Sequence, residues 1–371
     1  MSLSDDIKSL AFEAGFHAVG ITSAEPFVEA ERTLQARYEN GLLEGSGYNR
    51  ARIHLYTHPC ESMSSARSII SVALSYLSDE PELLGDLGCP RGWVARFARG
   101  LDYHKALEKR LSILAESIRS RFGQAVQMMA FADTGPMVDR SAAIRAGVGF
   151  RGKNTCVYVS EYSSWVVLAE LLTNLELEPD AEAESDKCGQ CDECIKACPT
   201  GALCAPYVLN VRLCLSHVTQ ASGFIPTWLR EKLGTRIYGC DTCQSACPLN
   251  REAKVGDIEE FLWKGGLGSS PELIPLLNIS AQEFRERIAP TTAGWIRRTR
   301  FRRNVAIALG NAGDPSAIPA LTEALHDPEP VIRGHAAWAL GRLGAQIPLE
   351  SALVYETDTE VLNEIRAALN S

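Results

Sequence analysis

No stretch of this 371-residue chain approaches the roughly 18 continuous apolar residues that a membrane-spanning helix needs, which excludes an integral helical membrane protein. Met1-Ser2-Leu3-Ser4-Asp5-Asp6 has no basic n-region, no apolar h-region and no twin arginine, so a cytoplasmic protein is expected. Positive charge is in deficit: 37 Lys and Arg against 46 Asp and Glu leave −9, which by itself argues against an anionic partner. A usable dinucleotide fingerprint is also missing. Gly147-x-Gly149-x-x-Gly152 has the spacing, but it follows a helical stretch and leads into Lys153-Asn154 and a strand, the wrong order for a Rossmann turn. The length fits two or three domains with a real core.

What the chain has is cysteine, twelve in all. A reducing compartment keeps thiols from pairing, so a regular pattern points to metal binding or catalysis. Cys188-x2-Cys191-x2-Cys194-x3-Cys198-Pro199 is the bacterial ferredoxin run, in which three thiolates of one loop reach one cubane and the fourth turns away to another. The frame repeats at Cys240-x2-Cys243-x3-Cys247-Pro248, but Ile237 occupies its first slot and cannot bind iron. Cys214 can supply the missing thiolate. With the proline-adjacent cysteines exchanged, Cys188, Cys191, Cys194 and Cys247 hold one 4Fe-4S cluster, and Cys198, Cys214, Cys240 and Cys243 hold a second. Two structural zinc sites are the bland alternative, though zinc does not call for the third and fourth cysteines of the run or for the proline. Cys60, Cys89, Cys156 and Cys204 read as small buried apolar residues.

Around the cysteines the chain reads as an α+β multidomain protein. Ser4 is placed to cap a first helix, and a strand follows at Ala18 to Thr22. Ile70, Val72, Leu74 and Tyr76 alternate with small residues as a strand, and Leu107, Leu111, Leu114 and Ile118 recur at helical spacing before Gly123. Strands at Ala125 to Phe131, Cys156 to Val159 and Trp165 to Leu168, with a helix at Val138 to Ala146, complete an α/β pattern over 1–180. An acidic linker, Glu178 to Asp186, opens a ferredoxin-like region at 181–255, and an arginine-rich connector occupies 256–303. In 304–371, Asn304-Val305-Ala306-Ile307-Ala308-Leu309-Gly310 returns 31 residues later as His335-Ala336-Ala337-Trp338-Ala339-Leu340-Gly341, the signature of HEAT-like helical repeats. An ordinary helical hairpin is the plainer reading.

Seven arginines between Arg285 and Arg303 face the single Glu286, so this segment is +6 and the remainder −15. It is either a solvated helix face or a phosphate-binding surface.

Two cubanes make an electron relay and call for an acceptor, which spacing alone does not identify. Arg99-Gly100-Leu101-Asp102-Tyr103-His104, Asp133-Thr134-Gly135-Pro136 with Asp139-Arg140, Ala146-Gly147-Val148-Gly149-Phe150, Gly152-Lys153-Asn154, both cysteine frames, Arg236-Ile237-Tyr238-Gly239-Cys240-Asp241 and the terminal repeat together resemble the epoxyqueuosine reductase family. The resemblance runs through nearly the whole chain. It implies a base-off cobalamin bound in the 1–180 domain against the clusters, and reduction of the epoxide of epoxyqueuosine to the alkene of queuosine at the tRNA wobble position. Asp133 matches the family's proton donor, a role that requires burial or a neighbouring anion to raise its pKa; its plainer role is to form the turn before Gly-Pro. Asp102-x-His104 begins like an axial-histidine motif, but Leu107 stands where that motif has glycine, so His104 is expected to be structural. Tyr56 stands where the family often has arginine. Tyr56, Asp133, Asn154, Val157 and Ser164 are the candidate cobalamin contacts. Arg297, Arg298, Arg300, Arg302 and Arg303 are the candidate grip on the anticodon stem-loop.

The competing readings are a reductive dehalogenase-like corrinoid enzyme, which shares the cofactor plan but normally has a Tat signal and lacks the repeats, and a ferredoxin-type electron carrier with no chemistry of its own. A monomer served by an unidentified electron donor, with no membrane partner, is expected.

Overall fold

The computed structural model describes residues 2–80, 88–183 and 187–370. The chain forms two compact units, each assembled from three stretches: Met1–Asp79, Tyr103–Cys214 and Thr242–Phe261 in the first, Glu80–Asp102, Leu215–Asp241 and Leu262–Ser371 in the second. Among the described residues no helix is long and apolar enough to cross a membrane.

The first unit is built on a four-stranded sheet in the order Ala18–Ser23, Ser68–Ser75, Val166–Thr173, Met128–Phe131. Every neighbouring pair is antiparallel, so the alternation of helices and strands does not produce a parallel α/β sheet. All eight residues of Ser68–Ser75 are buried, which is why this strand carries Ile69, Ile70, Val72 and Leu74 with only small polar residues between them. Its Ala73 face receives Ala143 and Ala146 of the helix Asp139–Arg145 and its cap, small residues that let helix and sheet approach closely. Leu107, Leu111, Leu114 and Ile118 of the helix Tyr103–Phe122 are at most 1% exposed, as their spacing predicts. Each such side chain contributes about 1.5–3 kcal/mol by leaving water.

Two local expectations change. The first helix runs Leu3–Glu13 and its N-cap is Ser2, which forms a capping box with Asp5; Ser4 lies inside the helix and its hydroxyl donates to the Glu178 carbonyl at 3.1 Å. The acidic stretch from Glu178 is not a free linker over its described part. Asp180 exchanges backbone and side-chain hydrogen bonds with Ile21 and pairs with Lys8 at 2.7 Å, while the Ala183 N–H donates to Ile144. Residues 184–186 lie outside the described residues.

In the second unit the repeat takes the form of helices Arg297–Ala312, Pro330–Arg342 and Thr359–Leu369 packed in succession, with Ile318–Ala324 and Gln346–Ala352 between them. The shared glycine of the repeat marks the closest approach. A Cβ on Gly310 would lie 2.9 Å from the Ala339 backbone, and one on Gly341 2.7 Å from Ala368 Cβ, so any larger residue would force the helices apart.

The arginine run at the start of this array divides. Arg303 is wholly buried, and its guanidinium donates to the carbonyls of Ala221 and Gly223 at 2.7 and 2.8 Å and to Asn304 Oδ1. Arg302 is 6% exposed, donates to the Leu277 carbonyl and pairs with Asp327 at 2.6 Å. These two anchor the helix to its neighbours and are not available to a phosphate, which corrects their assignment to RNA binding. Arg297 is exposed, and Arg298 and Arg300 are half-buried, each with one nitrogen on a carbonyl, of Ile279 and Gln220 respectively. Removing one partner of a buried ion pair leaves the other charge uncompensated. Asp327→Ala should lower the unfolding free energy by about 3–5 kcal/mol in denaturant titrations of the full chain followed by tryptophan fluorescence; a drop below ~1 kcal/mol would show that Arg302 does not depend on this partner.

Candidate functional site

The two cysteine frames enter the first unit through short helices, Glu193–Ala197 and Thr242–Ser245, which pack against each other. Cys194 is buried, and its thiol is pushed up to about 11, first by burial and then by the charges of Cys247, Cys188 and Cys191. Those four sulfurs therefore face one another, and the proline-adjacent Cys247 joins the first three cysteines of the other frame. Phe150 and Tyr158 pack on Cys247 and Cys188, and Lys153 Nζ donates to the Gly189 and Cys191 carbonyls at 2.5 and 2.9 Å, fixing the ligand loop. Four converging thiols with no other donor type fit a cubane, which would hold them as thiolates and relieve the mutual repulsion.

Cys198 lies in a different environment. Burial pushes its thiol up, but the backbone N–H groups of Leu203, Thr200 and Ala202 and the Thr200 hydroxyl favour the thiolate and prevail, so it lies below the usual range. The hairpin of Leu203–Ala205 and Val208–Leu209 then turns the chain back, and Thr200 Oγ1 donates to the Leu213 carbonyl at 2.6 Å. This fold-back places Leu213, the neighbour of Cys214, against Thr200, two residues beyond Cys198. Cys243 lies in Thr242–Ser245; Cys240 belongs to the second unit's stretch ending at Asp241. The four remaining cysteines are not buried: Cys60 and Cys204 are exposed and Cys89 and Cys156 half-buried, which corrects their reading as core residues. Cys60 lies in the short helix Pro59–Ser62 and Cys204 in the strand Leu203–Ala205, where their thiols donate weakly to backbone carbonyls.

Asp133 follows the edge strand Met128–Phe131 and has φ +60°, a left-handed conformation that a non-glycine residue adopts only under constraint. The Tyr103 hydroxyl donates to Asp133 Oδ2 at 2.5 Å and His104 Nε2 lies 3.5 Å from the same oxygen. Both come from the first turn of the helix Tyr103–Phe122, so His104 serves this carboxyl, a role the partial axial-ligand motif did not suggest. The Asp133 side chain keeps 54% of its surface. Crowding by the surrounding protein pushes the carboxyl up, but the bonds from His104 and Tyr103, and then the charges of His104 and Arg140, outweigh it and hold the group below its ordinary value. The expected upward shift is absent. The lowering favours the carboxylate form, with Tyr103 and His104 both within reach of Oδ2.

A second carboxyl pair lies below the same turn. Glu170 is wholly buried in Val166–Thr173, opposite Phe131 on one side and Ser71 on the other, and Ser71 Oγ donates to it at 3.3 Å. Asp139 begins the helix after the turn and shares a side-chain hydrogen bond with Glu170. Asp139 Oδ1 and Glu170 Oε2 are buried and meet no N–H or O–H donor among the described residues, so the bond between the two acids requires a proton. Burial first, and then the charge of Asp133, push Asp139 up to about 6 against the lowering effect of its hydrogen bond with Glu170, while burial and then the charge of Asp139 push Glu170 well above its ordinary value. Glu170 thus touches both ends of the turn, by backbone pairing at Phe131 and by side chain at Asp139. The only sequence signal for it was an acid inside the apolar run Val166-Val167-Leu168-Ala169-Glu170-Leu171-Leu172.

The expected cofactor contacts fare unevenly. Tyr56 is half-buried and packs edge-on against Tyr48. Asn154, Val157 and Ser164 are 3–4% exposed, and the two polar ones are engaged internally: Asn154 Nδ2 donates to Tyr158 OH at 2.9 Å, and Ser164 bonds Asn250 and Gln244. The side chains of Asn154 and Ser164 thereby link to the cluster-bearing segments, Asn154 also at the Cys243 carbonyl. Asp133 is the most exposed member of that set.

Three family models match the chain: "Epoxyqueuosine reductase QueG, DUF1730" over residues 57–134, "4Fe-4S double cluster binding domain" over 187–250 and "HEAT repeats" over 297–370. Among solved structures, an epoxyqueuosine reductase crystallised with a tRNA-Tyr epoxyqueuosine-modified stem loop superposes with a TM-score of 0.93 at 37% identity, covering 99% of this chain and 98% of that one. The enzyme from Streptococcus thermophilus superposes with 0.91 at 33% identity, covering 100% and 99%. A Bacillus subtilis structure of the same fold, again 37% identical with a TM-score of 0.93 and covering 99% and 98%, has its catalytic aspartate loop swung out of the active site. With the epoxyqueuosine reductase of Listeria monocytogenes 40% identical over 100% of this chain and 97% of that one, and that of Bacillus subtilis 38% identical over 99% and 95%, the chain belongs to the epoxyqueuosine reductase family.

Proposed function

We propose that this protein reduces the epoxide of epoxyqueuosine to the alkene of queuosine at the wobble position of tRNA, with Asp133 passing a proton to the departing oxygen. The net reaction takes in two electrons and two protons and releases water. Cobalamin, when bound, supplies a strongly reducing cobalt to open the epoxide, and the two 4Fe-4S clusters supply its electrons. The chain's own part is proton handling and positioning. Asp133 rests as an anion between Tyr103 and His104, so it accepts a proton from one of them as the epoxide oxygen develops charge and hands it on. The observation that carries this reading is the joint hold of Tyr103 and His104 on one solvent-open carboxylate.

In the proposed ligand sets, Cys188, Cys191, Cys194 and Cys247 hold one cluster and Cys198, Cys214, Cys240 and Cys243 the other. Residues 1–180 form the catalytic part, 181–255 the two-cluster part, 256–303 the connector and 304–371 the repeats. Arg297, Arg298 and Arg300 remain candidates for phosphate contact. The reaction belongs in the cytoplasm, where tRNA is modified.

The deciding assay is anaerobic turnover of epoxyqueuosine tRNA by the cobalamin-loaded, cluster-containing protein, read as queuosine after digestion to nucleosides. Clusters without queuosine would favour an electron carrier. Asp133→Asn should lower turnover by roughly a hundredfold or more with cluster absorbance unchanged; near-normal turnover would remove Asp133 from the chemistry. Cys214→Ser should reduce bound iron from about eight to about four per chain, and full retention would exclude Cys214 as a ligand. The Glu170–Asp139 bond exists only while the pair holds a proton, so it persists at low pH and is lost as pH rises through the raised Glu170 pKa. Asp133 and Arg140 face this pair as well and act oppositely on it. Glu170→Gln cannot ionise, and its alkaline loss of activity should shift to higher pH; an unmoved profile would show that the pair does not hold the Asp133 turn.

A further inference from the structure

Three arginines of the first unit lie around one short hairpin, none of them ion-paired among the described residues. Arg37 belongs to the helix Val28–Glu39, Arg140 to the first turn of Asp139–Arg145, and Arg151 to the strand Phe150–Arg151, which pairs with Val157–Tyr158. Arg37 Nη2 donates to the Tyr207 carbonyl at 2.6 Å, and the Tyr207 N–H donates to Lys153 in the hairpin turn at 2.9 Å. Arg140 Nη1 donates to the carbonyl and the hydroxyl of Thr155, in the same turn, at 3.1 Å each. Arg151 Nη2 donates to Ser141 Oγ, one residue beyond Arg140, at 3.3 Å.

Every acceptor in this set is neutral. Among the described residues none of the three makes an ion pair, although acidic residues outnumber basic ones 46 to 37 and Arg32, on the same helix as Arg37, pairs with Glu29 at 3.0 Å. The guanidiniums also act on one another. Burial first and then Arg140 hold Arg37 below its ordinary value, and burial, Arg140 and Arg37 do the same to Arg151, against an opposing pull from Glu182. Gathering like charges in this way is unfavourable unless an anion joins them, and a guanidinium with one nitrogen tethered still offers a fork of N–H donors suited to phosphate.

We infer that Arg37, Arg140 and Arg151 form a phosphate site that takes a backbone phosphodiester of the tRNA anticodon loop. The reading rests on tRNA as the substrate. Arg140 is exposed, as contact with a macromolecular substrate requires, and it lies close enough to Asp133 for its charge to act on the carboxyl that the target base must reach. A base unstacked to reach Asp133 brings its own flanking phosphates with it. These arginines would then fix the register of the loop, the task that Arg302 and Arg303, being buried, do not perform.

The test uses cobalamin-loaded, cluster-containing protein and a fluorescent anticodon stem-loop carrying queuosine, titrated at several salt concentrations. Arg37→Gln with Arg151→Gln should weaken binding tenfold or more at moderate salt and make the slope of log affinity against log salt shallower by roughly 0.7 for each phosphate no longer neutralised. Arg32→Gln, which removes the same charge from the same helix, should leave binding unchanged, and cobalamin absorbance per chain should match wild type. If the double variant binds the stem-loop as wild type does but fails to retain cobalamin, the anion is the cofactor's phosphate and the RNA assignment is overturned. Unchanged RNA binding with unchanged cobalamin removes the site altogether. A wild-type protein that does not bind the stem-loop would overturn the substrate reading and this inference with it.

Discussion

Two buried side-chain amides fix where the second cysteine frame meets the first unit. Asn250 Oδ1 accepts from Ser163 Oγ at 2.6 Å and from the Ser164 N–H at 3.1 Å, while its Nδ2 donates to the Gln244 carbonyl at 2.7 Å. Gln244 Nε2 in turn donates to Tyr76 OH and to the Ser164 carbonyl at 3.0 and 2.8 Å. Every member is buried, so a missing partner would leave a polar group in a dry interior at about 1–3 kcal/mol each. The network therefore has one good register. Because it joins the ends of Ser68–Ser75 and Val166–Thr173 to the stretch containing Cys243 and Cys247, it determines which sulfurs can meet.

The charges around Asp133 are arranged in the same over-determined way. Its turn begins at a residue paired with Glu170 and ends at one hydrogen-bonded to Glu170, and the strained φ of Asp133 sits between these two attachments. Tyr103 and His104 hold the carboxylate itself, and Arg140, tied to Thr155, adds positive charge beside it. Tyr103, His104 and Arg140 keep one exposed carboxylate ionised, and Glu170, attached at both ends of its turn, holds it in place. This is preorganisation in an otherwise acidic molecule.

The legible parts of this chain were those whose chemistry is encoded in spacing. Cysteine intervals marked out a two-cluster region, and the vacancy left by Ile237 made Cys214 the candidate for the missing thiolate. The HEAT-like recurrence was legible because its glycines mark helix contacts. Burial of polar residues was not, since a charge run reads identically whether its arginines face water or backbone carbonyls; Arg302 and Arg303 do the latter. Nor was the protonation of Asp133, which depends on two side chains some thirty residues earlier in the chain. Glu170 was hidden for a related reason: one acid in an apolar strand has no pattern, and its meaning lies in its neighbours across the sheet.

The interleaving of the two units has a consequence during synthesis. The chain leaves the first unit after Asp79 and Cys214 and completes it only with the stretch ending at Phe261. In the proposed ligand sets, Cys188, Cys191 and Cys194 leave the ribosome about fifty residues before Cys247. At 5–20 residues per second that is a window of roughly 3–10 s. Three thiols are then displayed on a nascent chain that lacks both their fourth ligand and the amide network that positions it. In those ligand sets, neither cluster has its full complement of four thiols until the second frame has been synthesised.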